Sequence, residues 1–297
     1  MNVLVFGSLN IDYVYQVDHI VSDGETESTF GMSENCGGKG LNQSVALARA
    51  GVSVHHAGMV GEEGCILIDA CVKNSVNIDF IRKTEGRSGH TIIQVDKNGN
   101  NSIILFGGAN RCMTESFIEQ VISSFESGDM IILQNEINLL NVIIDKASAK
   151  GMQIVLNPSP YNDALDECDL AKVAYFILNE IEGNQMTGEK EPDKILKAIH
   201  QKYPKAKIVL TLGSEGSMYF AEGKTYRQGI YKVKPVDTTA AGDTFTGFFI
   251  SSIIIKGFSP SESLAIAAKA SAIAVTRHGA LDSIPLLDEV KSTELTL

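Results

Sequence analysis

Met130-Ile131-Ile132-Leu133, then Leu139 to Ala149 with apolar residues at helical spacing, then Gln153-Ile154-Val155-Leu156: an apolar run, a helix and a second apolar run follow one another directly. Neither run alternates with polar residues, which is the mark of a strand covered on both faces. A helix between two such strands supplies the crossover that parallel neighbours require. The same composition returns at Val3 to Phe6, Val173 to Leu178 and Lys207 to Leu212, with helical patterns at Leu41 to Ala50 and Asp193 to His200. The alternation predicts an α/β fold whose central sheet is mostly parallel and flanked by helices. Two segments break the rhythm. Tyr13 to Asn35 alternates irregularly, and Gly89 to Gly107 reads as a hairpin around Lys97-Asn98-Gly99-Asn100. Their strands are expected to leave the main sheet and form a small β lid; an antiparallel extension at the sheet edge fits the same pattern.

The chain has 297 residues, 44% apolar and 21% charged, with a net charge of −11. That composition is ordinary for a globular protein, and one large α/β unit over residues 1–297 is expected, with lid segments at 13–35 and 89–107. Nucleic acid and anionic membrane surfaces are excluded as main partners, because both require clusters of Lys and Arg that are absent here. The five cysteines are scattered, with no Cys-x-x-Cys and no zinc spacing. The apolar start Met1 to Gly7 is short and lacks the basic flank of a signal peptide, and no apolar run reaches membrane-spanning length. A cytoplasmic location is expected. The last dozen residues read as a polar surface segment that frays.

In open α/β sheets, ligands sit beyond the carboxyl ends of the strands. The most informative stretch there is Asp237-Thr238-Thr239-Ala240-Ala241-Gly242-Asp243, which runs into the apolar Phe245 to Ile255. Small residues at a helix start let an anion approach unpaired backbone N–H groups. A carboxylate beside such a site fits a base that takes a proton from an attacking hydroxyl, although Asp also favours helix starts for its own sake. Asn10 and Asp12, two apart, share one face of an extended segment and suit vicinal hydroxyls; both are also common turn residues. Cys36-Gly37-Gly38-Lys39-Gly40-Leu41-Asn42-Gln43-Ser44 enters a helix that presents Lys39, Asn42 and Gln43 together. It is not a P-loop, because Gly40 follows Lys39. Glu136 follows a strand and reads either as a hydrogen-bond acceptor or as a solvated loop acid. Asn179 to Glu182 has capping-box spacing, and Thr211 to Gly216 ends another strand with glycines on which a nucleotide could lie. None of the six histidines forms a ligand cluster, and no Gly-x-Ser-x-Gly elbow is present.

Taken together, Gly7-Ser8-Leu9-Asn10-Ile11-Asp12, Gly37 to Gln43, Asp237 to Asp243 and the ending Ala274 to Ala280 with Ser283-Ile284-Pro285 resemble the ribokinase-like (PfkB) carbohydrate kinases over nearly the whole chain. The resemblance implies a three-layer α/β sandwich with a β lid over the sugar. It also implies an ATP-dependent kinase acting on the 5-hydroxyl of D-ribose. Another pentose, fructose or a nucleoside is the alternative substrate, and a sugar sensor that has lost catalysis is the alternative of a different class. By the same resemblance, Asn10, Asp12, Gly38, Lys39, Asn42 and Glu136 hold the sugar and Asp243 is the base. Ala240, Ala241 and Gly242 form an anion hole. Asn179, Glu182, Thr211, Gly213, Gly216 and Gly242 serve ATP and Mg²⁺. Asp237, Thr239, Ala274, Arg277, Gly279 and Ser283 surround K⁺. Separately, a lid made of strands exposes sheet edges, so a homodimer pairing through the lid is expected. Four residues depart from the family pattern: Cys36, Leu41 and Ser44 near the expected sugar pocket, and Ala267 near the expected adenine site.

Overall fold

The computed structural model describes residues 1–297. Its main sheet has nine strands: β1 (Val3–Phe6), β4 (Val54–Val60), β5 (Asn77–Lys83), β8 (Met130–Gln134), β9 (Gln153–Asn157), β10 (Tyr175–Asn179), β11 (Lys207–Thr211), β12 (Ser217–Ala221) and β13 (Lys224–Gln228), in the order β13-β12-β11-β10-β9-β8-β1-β4-β5. All neighbours from β11 through to β5 are parallel, and β12 and β13 add an antiparallel edge. A second sheet of four strands holds β2 (Asn10–Gln16), β3 (Gly31–Gly37), β6 (Gly89–Val95) and β7 (Asn101–Phe106), ordered β3-β2-β6-β7. The two rhythm-breaking segments therefore lie in a separate sheet and not on the edge of the main one. β2 begins at Asn10, three residues before the expected start.

Residues of each main strand point alternately to two cores. Leu4, Phe6, Ile131, Leu133, Ile208 and Leu210 enter one, and Val3, Val5, Met130, Ile132 and Val209 enter the other. The nine helices divide between these faces. α3 (Glu115–Ser123), α4 (Leu140–Lys150), α5 (Glu180–Thr187) and α6 (Pro192–Lys202) cover the first; α1 (Lys39–Arg49), α2 (Cys65–Lys73), α7 (Ala241–Ile250), α8 (Pro260–Ala274) and α9 (Leu287–Ser292) cover the second. This is a three-layer α/β sandwich. Burial on both faces removes the need for polar alternation, so β1, β8, β9, β10 and β11 were legible in the sequence. β4, with its paired histidines, and β5, polar along an edge, were not.

Two close approaches position the upper end of the sheet. At Gly7, where β1 leaves for the small sheet, an added Cβ would lie 2.2 Å from Gln134 Oε1 and 2.8 Å from Gly40 Cα. At Gly247, an added Cβ would lie 2.5 Å from the Ala46 Cβ, so glycine lets α7 press against α1. The apolar run Phe245 to Ile255 is not one α-helix: α7 passes into a π-helical turn at Ser251–Ile255. The tail also departs from expectation, because Val290 of α9 is buried in the core and the Lys232 N–H donates to the Thr296 carbonyl at 2.8 Å. No helix is long and apolar enough to cross a membrane.

Candidate active site

The strand order reverses between β1 and β8, and functional groups collect at the carboxyl ends on that line. Gly38, at a φ of 93°, turns the chain into α1, and the Gly40 and Leu41 N–H groups donate to the Ser8 hydroxyl and carbonyl at 3.2 and 2.9 Å. α1 then presents two amides to Asp243 on α7. Asn42 Nδ2 donates to one carboxylate oxygen at 3.0 Å and Gln43 Nε2 to the other at 2.9 Å. Gln43 is itself fixed. Its Oε1 accepts from Gln134 Nε2 at 2.6 Å, and its Nε2 also reaches Asn157 Oδ1 at 3.2 Å, while Asn157 donates to the Ile177 carbonyl. Asp243 is buried, and with one amide on each oxygen it keeps lone pairs for a further donor.

Glu136 is no solvated loop acid. It is half-buried, accepting a short hydrogen bond from the Ser8 hydroxyl and one of 3.1 Å from the Lys39 N–H. Burial raises its pKa above the ordinary carboxylate value, against the opposing pull of Lys39. Burial also pushes Asp12 up to about 6, against a 2.6 Å hydrogen bond from the Thr91 hydroxyl and with help from Glu136. Lys39 responds in the opposite sense. Burial disfavours its charge, but Asp243, Glu136 and Glu182 outweigh that and leave its pKa raised. Asn10 is buried and accepts from Asn110 Nδ2 at 2.7 Å. Asn42 Oδ1 is buried with no partner.

Ala240 adopts the left-handed conformation, φ 59° and ψ 11°, at the position before α7. A non-glycine residue held there is strained, and such strain gathers at functional sites. The N–H groups of Ala240, Gly242 and Asp243 have no partner, and space opens beside Gly242. Ala241 is the exception in the expected anion hole, because its N–H donates to the Thr238 carbonyl at 3.2 Å. The preceding loop is tied to the segment after α8. One Asp237 carboxylate oxygen accepts from the Thr239 N–H and hydroxyl, the other accepts from the Gly279 N–H, and the Val236 and Asp237 N–H groups donate to the Val275 carbonyl. Although burial opposes it, this set of donors holds the Asp237 carboxyl below its ordinary pKa. Ala274 accepts from the Arg277 N–H, Arg277 pairs with Glu289, and the buried Ser283 hydroxyl donates to Ala280.

Two adjoining cavities, of about 520 and 250 Å³, share Asn179, Thr211, Thr238, Ala241 and Gly242. The smaller reaches Lys39 and Asp243; the larger runs over Gly213, Gly216 and α8. Asn179 and Glu182 form a complete capping box and face the smaller cavity at the same time, so capping and site membership coexist. Gly213 and Gly216 both have positive φ, and a Cβ on Gly216 would meet the Gln228 carbonyl at 2.1 Å. Three of the departing residues turn away from ligand space. Leu41 and Ala267 are buried in the core, where neither narrows a cavity, and the Ser44 hydroxyl meets His56 Nδ1 at 2.7 Å. Cys36 is half-buried beside Ile66. Sequence reasoning passed over Ser8, Thr91, Asn110, Gln134 and Asn157. Gln134 and Asn157 end β8 and β9, so the rule that draws attention to carboxyl ends could have found them.

The family model described as "pfkB family carbohydrate kinase" matches residues 1–287. The chain is 35% identical to the ribokinase of Schizosaccharomyces pombe, over 98% of this chain and 96% of that one. Among solved structures, the ribokinase of Thermotoga maritima superposes with a TM-score of 0.88 at 30% identity, with 98% of each chain covered. The ribokinase of Arabidopsis thaliana, in complex with ribose and ATP, superposes with a TM-score of 0.84 at 28% identity, over 98% and 97%. The gripped carboxylate beside unpaired helix amides, the two joined cavities and these likenesses lead to one conclusion: the chain belongs to the pfkB family of carbohydrate kinases.

Proposed function

We propose that this protein transfers the γ-phosphoryl group of ATP to the 5-hydroxyl of D-ribose. The observation that carries this reading is the position of Asp243, held by Asn42 and Gln43 and one residue beyond the unpaired Gly242 amide. The ionised carboxylate accepts the proton of the attacking hydroxyl. The amides of Ala240, Gly242 and Asp243 donate to the oxygens on which charge gathers, which preorganised dipoles do without reorganising. Lys39 adds a positive charge on the sugar side.

Asn10, Asp12, Gly38, Lys39, Asn42 and Glu136 bind the sugar hydroxyls. The orphaned Asn42 Oδ1 supports this reading, as a buried acceptor that a hydroxyl would satisfy. The larger cavity takes the nucleotide, with Thr211, Gly213 and Gly216 against it. Mg²⁺ fits the donor set, since one or two carboxylates with substrate phosphates and water suffice for it; Glu182 and Asn179 would support it, and when bound it neutralises phosphate charge. Asp237, Thr239, Ala274, Arg277, Gly279 and Ser283 would hold a monovalent cation, largely through carbonyl oxygens.

The chain acts as one kinase unit over 1–297, with 13–35 and 89–107 closing over the sugar as a lid. Ile103, Ile104, Leu105 and Phe106 of β7, with Met32 of β3, leave apolar side chains exposed on that small sheet, which supports pairing of two chains through it. The five unpaired cysteines are compatible with the reducing cytoplasm, to be checked by cell fractionation.

Asp243→Asn should lower kcat by about 10² to 10⁴ with ribose binding retained; ADP release with MgATP across ribose, deoxyribose, fructose and adenosine is the assay. Full activity in the variant would remove Asp243 from the mechanism, and turnover with another sugar alone would move the substrate. As Asp12 titrates near 6 in the ligand-free protein, it carries its charge above that pH and loses it below. The KM for ribose should rise as pH falls through 6, and Asp12→Asn should weaken that dependence. The sign for stability is opposite: burial of the charge destabilises the free protein above pH 6, so Asp12→Asn should raise its melting temperature at pH 8 and not at pH 4. K⁺ should accelerate turnover over Na⁺ in the wild type and not in Asp237→Ala; equal wild-type rates in both salts would remove the cation site. Sedimentation should give a dimer at micromolar concentration, and a monomer there would refute pairing.

A further inference from the structure

A third cavity, of about 370 Å³, lies away from Asp243, between the π-helical turn, α8 and α9. Its walls are apolar, with Ile266, Leu287 and Val290 inside and Phe258, 41% exposed, among the lining side chains. Its only charged lining groups are three lysines, Lys256, Lys269 and Lys291. In a chain of net charge −11, a pocket lined by three cations and no carboxylate is a marked inversion. The nucleotide cavity, by contrast, includes Glu180, and the smaller one Glu182 and Asp243.

The lysines are incompletely satisfied by the protein. Lys256 Nζ donates to the Ala50 carbonyl at the end of α1, and Lys291 makes one exposed contact of 3.3 Å with Asp288. Lys269, half-buried, has neither a hydrogen bond nor an ion pair. Burial and the charge of Lys291 together hold the Lys256 pKa down, which is the signature of cations crowded without a counter-charge. The cavity volume falls within the range of small-molecule sites, which are largely apolar with a few fixed polar groups.

We propose that this cavity binds an amphipathic monoanion, a carboxylate on an apolar body, with its head on Lys269 and Lys291 and its body against Ile266, Leu287 and Val290. The site is placed to act on the nucleotide. Tyr231 lines both cavities, and α8 is the wall between them: Ala265, Ile266 and Lys269 face one side, while Ala268, Ser271 and Ala272 face the other. The floor includes Ser252 of the π-helical turn, which continues the helix whose first turn carries the free amides. Single π turns inside helices occur frequently at functional sites. An occupant that shifts Tyr231 or α8 therefore changes nucleotide affinity, and by linkage nucleotide changes the affinity of the occupant. Only this coupling rests on the nucleotide reading of the larger cavity; the site itself does not.

The test is calorimetric titration of the full chain with decanoate below its micellar concentration, with and without ADP, and with inorganic phosphate as the control lacking an apolar body. One decanoate per chain is expected, at least tenfold weaker in Lys269→Glu and in Ile266→Trp, with phosphate binding at least tenfold weaker than decanoate. Both variants should keep the wild-type melting profile. No decanoate binding, or binding indifferent to both variants as it would be on the apolar strands of the small sheet, overturns the site. Phosphate binding as tightly as decanoate, and weakened by Lys269→Glu, overturns the amphipathic class. At least a threefold difference in decanoate affinity with ADP is expected, and equal affinities overturn the coupling alone.

Discussion

The grip of α1 on the Asp243 carboxylate organises the rest of this structure. Asn42 and Gln43 come from one helix and Asp243 from another some 200 positions away in the chain. They meet because Gly247 lets the two helices approach to a distance at which a methyl group would collide with Ala46. A buried carboxylate without such partners would be costly to keep ionised. With one amide on each oxygen it stays oriented, and the chain Gln134 to Gln43 to Asn157 removes the freedom of the Gln43 amide to turn away.

Around that contact the electrostatics are unusual for a pocket assigned to a phosphate donor. Lys39 is drawn up in pKa by three carboxylates, while Asp12 and Glu136 are both pushed up by burial. The local balance is negative, so side chains alone would repel the donor. Backbone dipoles resolve the conflict. The strained turn at Ala240 leaves N–H groups unpaired among the residues that line the cavities, and these carry partial positive charge without a titratable group. The tie of Asp237 to Thr239 and Gly279 anchors the loop that carries this turn.

The small sheet is joined to this arrangement at four short crossings, residues 7–9, 38, 84–88 and 107. Gly7, Ser8 and Leu9 carry the chain out of β1, and Asn10 and Asp12 are the first residues of β2 to reach the far side. Ser8 binds both Glu136 and the start of α1. Polar groups at the ends of the two sheets are therefore tied together through Ser8.

Local chemistry was legible in the sequence. Apolar runs without alternation marked the inner strands, the small residues before Asp243 marked a helix start open to an anion, and Asn179 with Glu182 marked a cap. These follow from short-range rules of burial and backbone hydrogen bonding. The sequence could not show that Asn42 and Gln43 close on Asp243, or that Leu41 and Ala267 turn into the core. It did not reveal that Lys256, Lys269 and Lys291 line one pocket. Each of these depends on which helix face meets which neighbour. Only the packing of the layers decides that, because the contacts join residues between which the sequence carries no periodic signal.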